Sequence, residues 1–396
     1  GENVELNVSL QSSVANLEEL VVTGLASSVK RSNLANAITT VNAEQLVEKA
    51  PMQTLDGAFK GKIPGVSIRS QSGAPGGGVN VQMRGISTLG AGTSQPLYII
   101  DGVYVNNDAI SNARFLTTGA NSSQEDNSAN RLADINPEDI QSIEVLKGPG
   151  SALYGSNSVH GVINVITPDT TQGGGLVGLD YGSYGYARYK LRAGQDYGNS
   201  GIGINASVTD DTGYRDDESV KQQKINIRHR YERSNLLLTS GLTYTNLDQH
   251  TAGFITGFES YKNEDIAQQN FDPDAFRKAR SFRAWSNALW QLKNGNVLSI
   301  TPYVRDQSMD FFKHFLPGTP LETNSQTGIG VQSLYQHNLQ SNVKVNLGLD
   351  GEYTRSDFTQ SQNEPTQGSA FLVATVPQGK HYDYDVNATL YAPFAS

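Results

Sequence analysis

Strict alternation of apolar and polar residues, repeated over the C-terminal half of the chain, is the feature that most constrains its fold. Between residues 201 and 209, apolar side chains occupy the even positions and small or polar side chains the odd ones; the apolar set is Ile202, Ile204, Ala206 and Val208. The same pattern recurs at 298–305, 343–352 and 386–390. Because successive side chains of a strand point to opposite faces, a period of two predicts β-strands with one apolar and one polar face. Two packings suit such strands, a soluble β-sandwich and a membrane barrel with lipid outside and water inside.

The connections between the predicted strands favour the barrel. We expect about ten strands, near 175–182, 186–195, 201–210, 222–231, 235–245, 281–291, 296–305, 328–338, 342–354 and 384–392. Tight turns follow the second, fourth, sixth and eighth strands. Longer loops follow the third, fifth, seventh and ninth, at about 211–221, 246–280, 306–327 and 355–383, and only the first hairpin, at 183–185, departs from this order. Short turns at one end and long extracellular loops at the other are typical of outer-membrane barrels, and a sandwich has no reason to sort its loops.

Composition excludes several other classes. No stretch approaches the 18 to 20 apolar residues of a membrane-spanning helix, whereas barrel strands need only about 9–11 residues. A formal charge of −9 without a basic run disfavours nucleic-acid binding. The chain has no Cys, and its six His show no chelating spacing. The acidic runs at 210–211 and 216–218 suit either calcium or plain solvation. No catalytic arrangement stands out, so we expect no enzyme activity, no metal and no cofactor.

Glycine-rich and apolar motifs fill the first 170 residues. Ser-Gly-Ala-Pro-Gly-Gly-Gly at 72–78 has no following Gly-Lys-Ser/Thr and precedes a strand, which argues against a phosphate-binding loop. Further motifs are Gln-Met-Arg-Gly at 82–85, Leu-Tyr-Ile-Ile-Asp-Gly-Val at 97–103, Ile-Glu-Val-Leu-Lys-Gly-Pro-Gly-Ser-Ala-Leu-Tyr-Gly at 143–155 and Gly-Val-Ile-Asn-Val-Ile-Thr at 161–167. In this order they resemble the plug of TonB-dependent outer-membrane receptors. Residues 72–78 and 97–103 are most similar to the SusC/RagA branch, whereas Lys-Gly-Pro-Gly-Ser at 147–151 resembles siderophore receptors.

The resemblance implies a mainly β fold, with an N-terminal α+β plug domain inside a large antiparallel transmembrane β-barrel. About the first ten of some 22 strands would be present, because ten strands enclose too little space for a plug. We expect residues 1–16 to end a preceding small β domain and linker, 17–24 to contain the Ton box, 25–172 to form the plug and 173–396 to form the N-terminal half of the barrel. The same likeness implies the bacterial outer membrane, with periplasmic turns, extracellular loops and surrounding lipid.

The resemblance also assigns candidate site residues. The Ton box, which would pair with TonB by strand addition, comprises Glu19, Leu20, Val21, Val22 and Thr23. Arg84 matches the plug arginine that pairs with barrel carboxylates, the alternative being a solvated charge. The structural motif of the plug comprises Gly73, Pro75, Gly76, Gly85, Asp101, Gly102, Gly148, Tyr154, Gly155 and Gly161.

Ligand contacts are expected at the plug apex and in the barrel loops. The candidates are Ser87, Thr88, Thr93, Phe254, Phe258, Tyr261, Phe311, Phe312, His314 and Phe315. The aromatic members suit stacking on sugar rings or gripping a siderophore, and residues of an interfacial aromatic girdle have the same sequence signature. The implied function is TonB-dependent import of a scarce, bulky ligand, an iron-siderophore or an oligosaccharide. A surface lipoprotein is a further partner if the chain is SusC-like. A passive porin and a soluble glycan-binding β-protein are the alternatives.

Overall fold

The computed structural model describes residues 20–23, 27–30, 37–42, 63–70, 79–83, 96–105, 140–148, 158, 160–169, 171, 173–314, 318–340 and 343–395. Within these residues the chain forms a mixed five-stranded sheet, two separate strand pairs and one antiparallel sheet of ten strands. No helix among these residues is long and apolar enough to cross a membrane.

The N-terminal strands build a small sheet around a compact apolar core. They are β1 (Leu20–Thr23), β2 (Ser27–Lys30), β3 (Ala37–Asn42), β4 (Val66–Ser70), β5 (Val79–Met83), β6 (Leu97–Ile100), β7 (Val103–Val105), β8 (Ser142–Lys147) and β9 (Val162–Ile166). The five-stranded sheet has the order β3-β8-β9-β6-β7, in which β6 runs parallel to β9 and the other neighbours are antiparallel. Its buried core includes Val41, Tyr98, Ile143 and Val165. The pairs β1–β2 and β4–β5 stand outside this sheet.

The remaining strands follow one another in sequence order as a meander. They are β10 (Gly174–Tyr181), β11 (Ala187–Asp196), β12 (Ser200–Asp211), β13 (Ser219–Arg233), β14 (Leu236–His250), β15 (Phe276–Gln291), β16 (Val297–Phe312), β17 (Leu321–Gln340), β18 (Val343–Gln362) and β19 (Gly379–Ala395). Two short helices, α1 (Glu264–Gln268) and α2 (Ala370–Thr375), lie in loops, and 3₁₀ turns occur at Ser260–Lys262 and Lys293–Gly295. Each strand pairs with its sequence neighbours, so the sheet is a continuous wall.

The two faces of this wall have the opposite polarity to a soluble sheet. On β12, Ile202 and Val208 are exposed while Ser207 and Thr209 are buried. The same inversion runs across the sheet, with exposed Leu191, Val331, Leu349 and Leu390 on one face and buried Gln222, Thr301, Gln332 and Thr354 on the other. An apolar face left in contact with the surroundings over ten strands is the arrangement of a lipid-facing barrel wall, and it disfavours the sandwich.

The ten predicted barrel strands are all confirmed, but most of those joined by the longer loops extend further than expected. The predicted loop 306–327 shrinks to 313–320, and 355–383 shrinks to 363–378. The added strand residues, such as Asp306-Gln307-Ser308 on β16, carry no apolar alternation. Alternation marks only the part of a strand that has lipid on one side, and it therefore ends before the strand does.

Candidate functional site

A tight hairpin at one edge of the five-stranded sheet points into the ten-stranded wall. Strands β6 and β7 pair antiparallel with Ile100 opposite Val103, which leaves Asp101 and Gly102 as a two-residue turn. Both have positive φ, 52° at Asp101 and 81° at Gly102. Two successive positive φ values define a type I′ turn, for which Asp-Gly is a preferred sequence. The motif at 97–103 therefore places an acidic side chain at a fixed, sharp corner.

Asp101 joins the small sheet to the wall. Its Oδ1 accepts a hydrogen bond from the backbone N–H of Thr167 at 2.9 Å, and its Oδ2 accepts one from the Thr167 hydroxyl at 3.1 Å. The same carboxylate forms an ion pair with Arg228 on β13, and the two side chains are only 11% and 16% exposed. A charge pair held this far from water and anchored by extra hydrogen bonds fixes the corner of the hairpin against the wall.

The wall meets the hairpin with aromatic side chains. The Arg228 guanidinium lies 5.9 Å from the ring centroid of Trp285, within the range of a cation–π contact. Val103, which is fully buried, packs in one cluster with Trp285 and Tyr303. We call Arg228, Trp285 and Tyr303 the docking face, since these three side chains carry the described apolar and ionic contacts to the hairpin.

Glycines make room for the docking face. The strand register places a single row of residues across the wall, in the order Gly203, Arg228, Gly241, Trp285, Tyr303, Gly330 and Glu352. A Cβ on Gly241 would lie 2.6 Å from the Trp285 ring, and one on Gly330 would collide with the Tyr303 ring. The large side chains thus lie flat over glycines of neighbouring strands, which keeps the row thin enough for the hairpin to approach.

A polar network continues this row at its β18 end. Glu352 on β18 accepts hydrogen bonds from the Tyr303 hydroxyl and from Arg305, and it receives a further one from Thr354 Oγ1 at 2.6 Å. Between the hairpin and the wall lies a space of about 70 Å³. That volume holds a few water molecules and is far too small for a bulky ligand.

The loops at one end of the wall interlock into a second candidate site. We call segments 182–186, 212–218, 251–275, 313–314 and 318–320 the loop platform. Arg215 donates to the backbone carbonyls of Gly253 and Gln269, and the Asp216 N–H donates to the Gln268 carbonyl at 2.8 Å. Segment 313–314 joins through His314, whose Nδ1 lies 3.1 Å from Asp272 Oδ2. Segments 212–218 and 313–314 are thus tied to segment 251–275, and segment 182–186 is tied to segment 212–218 through the Thr212 N–H, which donates to the Tyr184 carbonyl at 3.1 Å.

At the base of the platform lies a fully buried ion pair. Lys313 and Glu322, each 1% exposed, face one another where the β16–β17 connection begins and ends. Aromatic side chains cover the platform's outer parts, among them a T-shaped pair of Tyr184 and Tyr214 with centroids 5.2 Å apart. Within the described residues, no group of three or more His, Asp or Glu is arranged to hold a metal ion.

Comparison with known proteins identifies the small sheet and the wall. The family model of the TonB-dependent receptor plug domain matches residues 30–162. The TonB-dependent receptor SusC of Bacteroides thetaiotaomicron is 32% identical over 199 residues, which cover 49% of this chain and 18% of SusC. The family-model match identifies residues 30–162 as a plug domain of the TonB-dependent receptor type. TonB-dependent receptors are β-barrel proteins of the bacterial outer membrane, and the inverted polarity of this wall is that of such a barrel.

Solved receptors share the fold. The ferripyoverdine receptor of the outer membrane of Pseudomonas aeruginosa superposes with a TM-score of 0.69 at 13% identity, over 98% of this chain and 53% of that one. The unliganded ferric citrate transporter FecA gives 0.67 at 16% identity, over 91% and 53%. The chain thus spans about half the length of these receptors. The predicted fold class, a plug domain with a partial antiparallel barrel, is confirmed.

The structure places part of the predicted receptor site. Leu20, Val21, Val22 and Thr23 form β1, which pairs with β2 of the same chain, and within the described residues no other strand pairs with β1. Gly148 and Gly161 are buried with positive φ, and a Cβ on Gly161 would lie 2.6 Å from the Leu146 carbonyl oxygen. The following candidates lie outside the described residues: Glu19, Gly73, Pro75, Gly76, Arg84, Gly85, Ser87, Thr88, Thr93, Tyr154, Gly155 and Phe315.

The aromatic candidates divide into two groups. Phe254, Phe258 and Tyr261 are exposed on segment 251–275, and Phe254 lies 5.7 Å from the His314 ring. Phe311 and Phe312 instead end β16, where Phe312 stacks on Phe276 at 6.2 Å and Phe311 contacts Lys313. The first group lies in a loop beyond the strand ends, where a girdle residue would not be.

Sequence reasoning missed the receptor's docking face. Arg228, Trp285 and Tyr303 come from three strands and meet only through the register of the sheet. One signal was available. Gly241 is the only glycine of β14, and Gly330 lies in β17 two positions after Gly328. A glycine inside a strand often marks the close approach of another group. The Tyr184–Tyr214 pair was missed because ligand contacts were expected in the longer loops, whereas Tyr184 lies in the short first hairpin.

Proposed function

We propose that this receptor imports a scarce, bulky ligand across the outer membrane by TonB-dependent active transport, as a carrier and not as an enzyme. The observation that carries the proposal is the docking of the plug hairpin on the polar inner face of the wall through Asp101 and Arg228. In this proposal residues 17–24 act as the Ton box, 25–172 as the plug and 173–396 as barrel wall.

The polar character of the docking contacts suits a plug that must move. Polar groups released from one another regain hydrogen bonds to water, whereas an apolar core exposed to water does not. The space beside the hairpin is too small to pass a ligand, so transport through this region requires the hairpin to shift. A pulling force on the N-terminal segment would have to break the ion pair and the packing of Val103 on the docking face.

TonB is the proposed partner that exerts the pulling force on the N-terminal segment. Strand β1 is held on one edge by β2, and strand addition by TonB would use its other edge or displace β2. Glu19, Leu20, Val21, Val22 and Thr23 are the proposed contacts, and Arg84 remains a proposed plug contact to barrel carboxylates. Similarity to SusC supports a surface lipoprotein as a further proposed partner, which co-purification from outer membranes would reveal.

Uptake by intact cells tests the proposal. We expect deletion of residues 20–23, or addition of a proton uncoupler, to abolish uptake of the cognate ligand while its binding to isolated outer membranes is unchanged. The substitution Tyr197→Ala is the control, because Tyr197 is exposed at the turn between β11 and β12, away from residues 17–24. A passive porin would continue to take up the ligand after both treatments, and that result would overturn the proposal.

A further inference from the structure

We propose that the loop platform binds a neutral, hydroxyl-rich oligosaccharide. The inference rests on the proposed import function and names its substrate class. Six aromatic side chains of the platform are exposed, and they stand outside the strands; they are Tyr184, Tyr214, Phe254, Phe258, Tyr261 and Phe271.

The four of these side chains that belong to segment 251–275 lie above the membrane. Strands β14 and β15, which bracket segment 251–275, have 15 and 16 residues. At about 3.3 Å per residue and a tilt of about 40°, such strands rise roughly 35–40 Å, against an apolar band of about 25 Å. The loop between them therefore projects into water. Aromatic rings exposed there have no lipid to cover them, and their exposure points to a ligand.

The platform is pre-organised. Arg215 holds two backbone carbonyls of segment 251–275, and Asp272 holds His314. Within that segment, Asn263 caps α1 through hydrogen bonds from the backbone N–H groups of Asp265 and Ile266. Loops fixed in this way present their rings without a large loss of conformational entropy on binding.

Charge selects against an anionic ligand. The platform contains eight acidic residues, Asp216, Asp217, Glu218, Glu259, Glu264, Asp265, Asp272 and Asp274. It contains three Lys or Arg residues, and each forms hydrogen bonds or an ion pair within the protein. Arg215 binds backbone carbonyls, Lys262 pairs with Glu259 at 2.6 Å, and Lys313 pairs with Glu322 in the interior. An anionic iron chelate would meet a negative field here, and the single exposed Lys of the described platform, Lys262, lies beside Glu259.

A neutral sugar meets complementary chemistry on the same surface. The electron-rich face of an aromatic ring attracts the polarised C–H groups on one side of a hexose. Carboxylates and backbone carbonyls accept hydrogen bonds from sugar hydroxyls, which are donors. Several rings spread over joined loops suit a chain of sugar units better than a single compact ligand.

Direct binding to the full chain in detergent micelles tests the inference. The probes are neutral hexaoses of glucose, xylose and mannose, with hexagalacturonate as an anionic sugar of similar size and ferric citrate as an anionic iron chelate. We expect at least one neutral hexaose to bind at least tenfold more tightly than either anionic probe. Tyr261→Ala and Phe258→Ala should each weaken that binding about three- to tenfold.

The matched control is Tyr197→Ala, since Tyr197 is 69% exposed at a turn on the opposite end of the wall and Tyr261 is 70% exposed. Tighter binding of ferric citrate or hexagalacturonate overturns the inference, and so does binding of no neutral hexaose or an equal loss in Tyr197→Ala. None of these outcomes bears on the import proposal, because binding in micelles needs neither TonB nor a proton gradient.

Discussion

At the scale of single residues, the ion pair between Asp101 and Arg228 is the contact most open to test. Asp101→Asn keeps an oxygen for the Thr167 N–H and tolerates the positive φ of the turn, so it removes little besides the charge. We expect it to destabilise plug docking by about 2–5 kcal/mol, because Arg228 would be left buried without its counter-charge. Thermal melting of the receptor in detergent and trypsin cleavage of the plug measure the effect.

The double variant sharpens this test. Asp101→Asn combined with Arg228→Gln leaves two neutral groups that can still hydrogen-bond, so its loss should be clearly smaller than the sum of the single losses. Glu259→Gln is the control, because its partner Lys262 is exposed and such surface pairs contribute about 0–1 kcal/mol. Strictly additive losses in the cycle would show that the pair does not hold the plug.

At the scale of elements, strand β1 pairs with β2 on one edge, and no strand of the described residues pairs with its other edge. Successive backbone N–H groups of a strand point to opposite edges, so Val21 and Val22 donate in opposite directions. Proline lacks this donor. Of Val21→Pro and Val22→Pro, the one that removes the outward donor should abolish capture by the TonB C-terminal domain, and the other should weaken mainly the pairing with β2. Equal loss in both variants would contradict strand addition at the free edge.

The elements also show what could be predicted and what could not. Strand positions followed from alternation because lipid on one face imposes a period of two on residues such as Val343, Val345 and Leu347. Strand ends did not follow, since beyond the lipid both faces of β18 are wet. The Asp101-Gly102 turn was recognised as a motif, but its partner Arg228 is 127 positions away, and only the packing of the hairpin on the wall brings the two together.

At the scale of the whole molecule, the inverted polarity of the wall indicates that its apolar face meets lipid and its polar face meets water. Leu349 on β18 is half exposed on the apolar face, and Asn346 on the same strand faces inward, where it accepts a hydrogen bond from Gln336 at 3.0 Å. Leu349 is the seventh residue of β18, which places it near the middle of the membrane. The same charged substitution should therefore have different effects at the two positions.

Leu349→Lys should destabilise the folded barrel by about 2–4 kcal/mol, because the ammonium would lie at the bilayer midplane. Asn346→Lys places the same charge in the wet interior, where the loss should stay near the roughly 1 kcal/mol of one hydrogen bond. The shift of the folded band on unheated gels, measured over a urea series in lipid vesicles, gives both values. Equal destabilisation would mean that the two faces share one solvent, and the wall would then not separate lipid from lumen.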